Sequence, residues 1–186
     1  MKKINTDQII KSNQEQAAAS WINYLNQIRL DRLQEELKQH DFNLMEANEI
    51  LNKALKDIKV QIINNNRGGT KGMHGFIAEI AECGIGNARK KIQGIKPDFT
   101  WINDNGPIDI MRGTEKIQQK FVQSGGHLSL NAIAQHLKKY PDYLEQGGLY
   151  QIPLDHYEKI QYYLSIPEST ANKMPTSSGE FSIKQW

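Results

Sequence analysis

Between residues 14 and 64 apolar side chains recur at helical spacing, and no glycine or proline interrupts them. Ala18, Trp21, Ile22, Leu25, Ile28, Leu33 and Leu37 fit one stripe of a long helix. His40-Asp41-Phe42-Asn43 breaks the stripe, and either Asp41 or Asn43 has the side-chain oxygen to cap a second helix. That helix carries Leu51, Leu55, Ile58, Val60, Ile62 and Ile63. The expectation is an antiparallel helical hairpin over residues 1–66. So thin a hairpin cannot bury its stripes alone, so it should pack on the C-terminal domain or on another copy of itself.

The texture changes at residues 64–72, where three asparagines, three glycines, Arg67 and Lys71 read as a linker, centred on 67–72. Met73, Ile77, Ile80, Ala81, Gly84 and Ala88 then fall on one helix face. Arg89-Lys90-Lys91 suits the negative end of that helix, and Gly94 can close it. Three short strand-like runs come next, at residues 99–102, 108–111 and 116–122, separated by Asp104-Asn105-Gly106-Pro107 and Gly113-Thr114. A helix through Leu128, Ile133 and Leu137, a strand at 148–153 and a last helix through Tyr157 and Leu164 complete the pattern. Two tight hairpins predict an antiparallel meander, to which the later strand adds by a crossover. The domain so predicted is mixed α/β and spans residues 73–166. Residues 167–186 read as a tail or linker whose last residues begin a further element, as in the N-terminal part of a longer protein.

Composition narrows the classes. The chain of 186 residues is 38% hydrophobic and 24% charged with a formal net charge of +2, which is ordinary for a globular domain. Near-neutrality means that any nucleic-acid contact must come from local patches, with Arg89, Lys90, Lys91, Lys138 and Lys139 as candidates. Cys83 is the single cysteine and cannot form an internal disulfide, and no Cys/His spacing matches a zinc site. It reads as a half-buried, inert thiol. The N-terminus lacks the apolar run of a signal peptide, and no segment approaches the ~20 apolar residues of a membrane span. The expected compartment is reducing and cytoplasmic.

The candidate chemistry lies on the second and third strands. Residues two apart on a strand share a face, so Gln118 and Lys120 should project together while Ile117, Gln119 and Phe121 face the other way. Asp109, one hairpin away, joins them. An acid, an amide oxygen and an ammonium are thereby placed on neighbouring strands. The two oxygens suit a hard cation such as Mg²⁺. A lysine beside such an ion can orient an attacking water and offset charge in a phosphoryl transition state. The bland alternative is a cross-strand ion pair between Asp109 and Lys120.

Asp109 after Gly106-Pro107-Ile108, followed by Gln118-Gln119-Lys120, resembles the PD-(D/E)XK nuclease superfamily, and more narrowly its Gln-x-Lys variants of the Mrr-like restriction endonuclease type. The resemblance covers residues 72–166. It implies a restriction-endonuclease-like α-β-β-β-α-β-α core with a mixed sheet and a Mg²⁺- or Mn²⁺-dependent deoxyribonuclease, with roles in restriction or phage defence. It also implies that Asp109 and Gln118 ligate the metal, that Lys120 orients water, and that the preceding helix supplies a glutamate. Glu79 and Glu82 both qualify; spacing does not separate them, and Glu79 is preferred. DNA is the implied partner, and the N-terminal helices would make a homodimer or dock a partner protein. Gln in place of the second acid removes a negative charge. That leaves two alternatives, a catalytically inactive DNA-binding or assembly module and a protein whose N-terminal helices carry the function.

Overall fold

The computed structural model describes residues 6–104, 106–121 and 129–171. His127, the turn around Gly125 and Gly126 and residues 172–186 of the expected tail lie outside them. The chain divides into two units between Met45 and Glu46.

The described part of the first unit is helical and lies within α1 (Thr6–Asp57). The expected break at residues 40–43 is absent, and the N-terminal hairpin is corrected to one continuous helix. Asp and Asn disfavour a helix interior by only about 0.7 kcal/mol each, well short of the ~3 kcal/mol of proline. Asn43 is moreover engaged along the helix, its Oδ1 accepting a 3.0 Å bond from Gln39 Nε2. Arg32 and Glu36 pair in the same i, i+4 way at 3.0 Å. Leu30, Leu37 and Leu44 succeed one another at seven-residue intervals and are 53%, 55% and 41% exposed.

In the second unit α1 loosens into a π-helical segment, Ile58–Ile63, with Asn64 N–H bonded five residues back to the Lys59 carbonyl. Arg67 N–H likewise reaches the Ile62 carbonyl at 3.0 Å. The reversal comes at Asn66 and Gly68, with φ of 47° and 80°. A Cβ on Gly68 would lie 2.8 Å from the Gly72 carbonyl carbon, so this corner needs glycine. Helix α2 (Gly69–Ile92) takes the end of the supposed linker as its first turn. The true helical hairpin thus joins the end of α1 to α2. Gly84 permits it, since a methyl there would stand 2.5 Å from Ala54 Cβ. An ion pair between Glu46 and Lys91 ties its far end.

The strands are β1 (Phe99–Trp101), β2 (Ile110–Arg112), β3 (Glu115–Gln119) and β4 (Gly148–Gln151). They lie in the order β1-β2-β3-β4. The first two pairings are antiparallel, with Trp101 opposite Ile110 and Ile110 opposite Ile117. β4 joins β3 in parallel, with Gln118 opposite Tyr150, after the crossover through α3 (Leu130–Lys139). The sheet is therefore mixed, as the meander-plus-crossover pattern requires. Helices α4 (Leu154–Ser165) and α5 (Glu168–Ala171) complete the described chain.

One core joins Cys83 of α2 to Ile110 and Ile117, flanked by Phe99 and Trp101. Ile110 is fully buried and Ile117 4% exposed, a contribution of about 2 kcal/mol each. The edge strand is pinned by Asn87, whose amide donates to the Phe99 carbonyl and accepts from its N–H, both at 2.8 Å. Between α3 and β4, Tyr143 packs on Gly148, where a Cβ would meet the ring at 2.5 Å. The Tyr143 hydroxyl lies 3.1 and 2.9 Å from the carbonyls of Lys116 and Leu149, which stitches β3 to β4. Among the described residues no helix is long and apolar enough to cross a membrane.

Candidate active site

Asp109 lies one residue before β2, not within it. Its backbone still bridges the neighbouring strands, since Asp109 N–H donates to the Ile117 carbonyl at 2.9 Å and its carbonyl accepts from Ile102 N–H at 2.7 Å. The preceding turn is closed by Gly106 N–H on Asp104 Oδ1 at 2.7 Å. The Asp109 carboxylate meets β3 directly. Its Oδ2 accepts the Gln119 backbone N–H at 2.8 Å and the Gln118 side-chain amide. Burial raises the Asp109 pKa, while the Gln119 N–H, Lys120 and Gln118 oppose the rise.

Gln118 is 5% exposed. Its Nε2 is spent on Asp109, and among the described residues its buried Oε1 has no hydrogen-bond partner. A buried carbonyl oxygen left bare costs about 1–3 kcal/mol, so such atoms normally have a protein, water or ion partner. Gln119 is also buried and bonds Gln151 Oε1 at 3.0 Å. Its contribution to the Asp109 carboxylate comes from the backbone, which side-chain alternation along a strand does not reveal.

Lys120 directly follows β3, and its N–H extends the parallel ladder to the Gln151 carbonyl at 2.9 Å. Ser129, fully buried at the start of α3, donates its hydroxyl to the Lys120 carbonyl at 2.8 Å. The same hydroxyl lies 2.9 Å from His156 Nδ1. Since Ser129 donates to the carbonyl, His156 Nδ1 carries the proton given back to Ser129. This Ser-His contact fixes the backbone beneath Lys120; a fully buried hydroxyl has no path to a substrate. Burial lowers the Lys120 pKa, and the negative charges of Asp109 and Glu79 work against that.

Glu79 projects from α2 and accepts the Trp101 indole N–H on Oε2 at 2.9 Å. Its pKa is pushed up to about 7, first by burial and then by the charge of Asp109, against the pull of Trp101, Arg67 and Lys120. Glu79, Asp109 and Lys120 therefore lie within one another's fields, with Gln118 bonded to Asp109. Glu82 acts instead on Cys83, whose pKa is raised to about 12 by burial first and then by Glu82 and Glu79. His74 anchors α2 to the same strand end through Nε2, 3.0 Å from the Phe121 carbonyl. His136 belongs to the aromatic group of Tyr143 and Tyr150, with Nδ1 2.6 Å from the Tyr150 hydroxyl.

Among the described residues no three His, Cys, Asp or Glu side chains form a ready metal cage. A cation here would rest on the Asp109 carboxylate, the bare Gln118 Oε1 and water, with Glu79 as the second charge. That hard-oxygen donor set fits Mg²⁺ or Mn²⁺ and is unsuited to a soft metal. Sequence reasoning placed Arg67 in the linker, as part of a hinge with only a smaller chance of touching phosphates, yet its charge acts on Glu79. A cation in an Asn/Gly-rich turn carries no periodic signal that would single it out. Compared with known proteins, the chain matches no family model, no curated protein and no solved structure.

Proposed function

We propose that the chain is a metal-dependent nuclease that hydrolyses phosphodiester bonds in DNA, on a restriction-endonuclease-like core formed by α2 to α4. The observation that carries this reading is the bare, buried Oε1 of Gln118 beside the Asp109 carboxylate. Gln118 meets Asp109 through its Nε2, so the bare Oε1 belongs to the same amide that contacts the carboxylate, and a second acid and an ammonium are in electrostatic reach.

Asp109 and Gln118 would hold Mg²⁺ or Mn²⁺, with Glu79 a ligand directly or through water. The ion would supply Lewis acidity toward a phosphate oxygen. Lys120 donates a hydrogen bond that orients the attacking water and balances charge gathering on the phosphoryl oxygens. Glu79, reaching the ion through water, takes a proton from that water. The water oxygen bonds to phosphorus, one P–O ester bond breaks, and the departing oxygen ends protonated, which gives a phosphomonoester and an alcohol. In this reading α1 pairs with a second copy of the chain along Leu30, Leu37 and Leu44, because leucines at heptad spacing seat against an identical row. Two subunits suit the cutting of two strands, as in restriction or phage defence.

The test is incubation of supercoiled plasmid with the protein in Mg²⁺, Mn²⁺ or EDTA. Nicked or linear product in either metal and none in EDTA is the expected result. Intact plasmid in every condition overturns hydrolysis.

A second reading is an inactive module with the same fold. It is favoured by the Gln118 amide donating to Asp109, which satisfies that carboxylate oxygen without any ion. Mg²⁺-dependent thermal stabilisation that disappears in Asp109→Ala would count against it.

A further inference from the structure

Arg67 stands at the corner between the π-helical segment and α2, with left-handed backbone on both sides at Asn66 and Gly68. Its own N–H is tied to the Ile62 carbonyl at 3.0 Å. The guanidinium carbon lies 4.2 Å from the centroid of the Phe76 ring and 5.5 Å from that of Trp101. Nη1 donates to Asn103 Oδ1 at 2.5 Å. Trp101 is itself locked to Glu79 by its indole N–H. One aromatic side chain therefore sets both the acid of the candidate site and the stacked face of a cation.

From this juxtaposition we infer that Arg67 is a binding residue for a backbone phosphate of the nucleic acid, beside the Glu79–Asp109–Lys120 group. The inference rests on the nuclease reading for its ligand. It stands on separate residues. Among the described residues Arg67 forms no ion pair with a carboxylate, and neither its Nε nor its Nη2 makes a hydrogen bond. Glu79, whose field it feels, is hydrogen-bonded to Trp101. A half-buried guanidinium without a carboxylate partner keeps an unused edge of N–H donors. That edge matches two oxygens of one phosphate. Stacking and the Asn103 bond hold the fork in place beforehand, so little side-chain freedom is lost on binding. A phosphate contact reads no base, so Arg67 adds affinity and register without sequence preference.

The experiment is binding of a fluorescein-labelled DNA duplex, followed by anisotropy in Ca²⁺ across a range of salt concentrations. Wild type is compared with Arg67→Gln and Arg67→Lys, and thermal melting by circular dichroism is recorded for each. Arg67→Gln should weaken binding about tenfold at low salt and flatten the log–log salt slope by ~0.9, the share of one phosphate. Arg67→Lys should keep the slope and still lose affinity, because it retains the charge but not the planar fork. Unchanged affinity and slope in Arg67→Gln, with a lowered melting temperature, would assign Arg67 to packing alone and overturn the inference. Wild type that binds no DNA overturns it together with the nuclease reading. Binding with the expected slope change, but with plasmid uncut in Mg²⁺ and Mn²⁺, upholds the phosphate contact and removes only the hydrolysis.

Discussion

Replacing Glu79 by Gln should stabilise the metal-free protein in mild base and leave it nearly unchanged in mild acid. The Glu79 carboxyl is pushed from 4.5 up to about 7, by burial first and by the charge of Asp109 second. A folded-state pKa above the unfolded value means that the folded chain holds a proton the unfolded chain releases. The associated stability is therefore complete below 4.5 and is lost as pH rises through about 7. At about 1.4 kcal/mol for each pH unit, the full effect has a ceiling of about 3 kcal/mol. Glu79 is only partly enclosed, and solvent screening reduces this to ~1–2 kcal/mol. The amide that replaces the carboxyl is neutral at every pH and still offers Trp101 an oxygen. Urea titration in EDTA, at about pH 8 and about pH 5, reads the difference directly. The variant should exceed wild type by ~1–2 kcal/mol at the higher pH, worth ~2–8 °C in melting temperature. The two should agree within ~0.5 kcal/mol at the lower pH. Adding Mg²⁺ at the higher pH should restore wild type more than the variant. A variant less stable than wild type by the same amount at both pH values would refute the reasoning, because the buried charge would then carry no penalty.

Other substitutions probe other parts of the account. Gln118→Glu should lower stability in EDTA by ~1–3 kcal/mol, since the amide donor to Asp109 is replaced by a second negative charge. The same variant should bind Mn²⁺ more tightly in a calorimetric titration. Gly148→Ala should destabilise by ~1–3 kcal/mol in urea denaturation, because the new methyl would stand 2.5 Å from the Tyr143 ring and carbonyl. Leu30→Glu with Leu37→Glu should halve the mass seen by light scattering and leave the circular dichroism of the second unit in place.

The strands were legible because their chemistry is local. Phe99-Thr100-Trp101 and Lys116-Ile117-Gln118-Gln119 lie between Gly/Pro/Asn turns, and β1 and β3 form there. Two hairpins and an intervening helix then leave few topologies, and β4 adds to the sheet by a crossover as expected, its place beside β3 in parallel being set by the fold. The helical half was harder to read. Asp41 and Asn43 are good caps in isolation, yet a helix stops only where something opposes its continuation, and Gln39 gives Asn43 a partner along the helix. The glycines at 68, 69 and 72 look like a flexible linker, whereas only Gly68 and Gly69 adopt left-handed backbone and α2 begins at Gly69. At the candidate site, strand alternation put Gln118 and Lys120 together, while Asp109 came from the neighbouring hairpin and the motif it resembles. The clustering of Glu79 with them is tertiary. It depends on Trp101 reaching from the edge strand to α2, a contact 22 residues apart in the chain. The same holds for Arg67 with Phe76 and Trp101, and for Ser129 under Lys120.

The most direct test of the central claim is the single-turnover rate of DNA cleavage in Mg²⁺ for wild type, Asp109→Ala and Lys120→Ala, with duplex binding measured alongside. Each substitution should lower the rate ~10²–10³-fold or more while the duplex remains bound, because Asp109→Ala removes a ligand of the metal ion and Lys120→Ala removes the ammonium that offsets charge on the reacting phosphate. Cleavage by Asp109→Ala and Lys120→Ala at the wild-type rate would place the chemistry elsewhere and contradict the account.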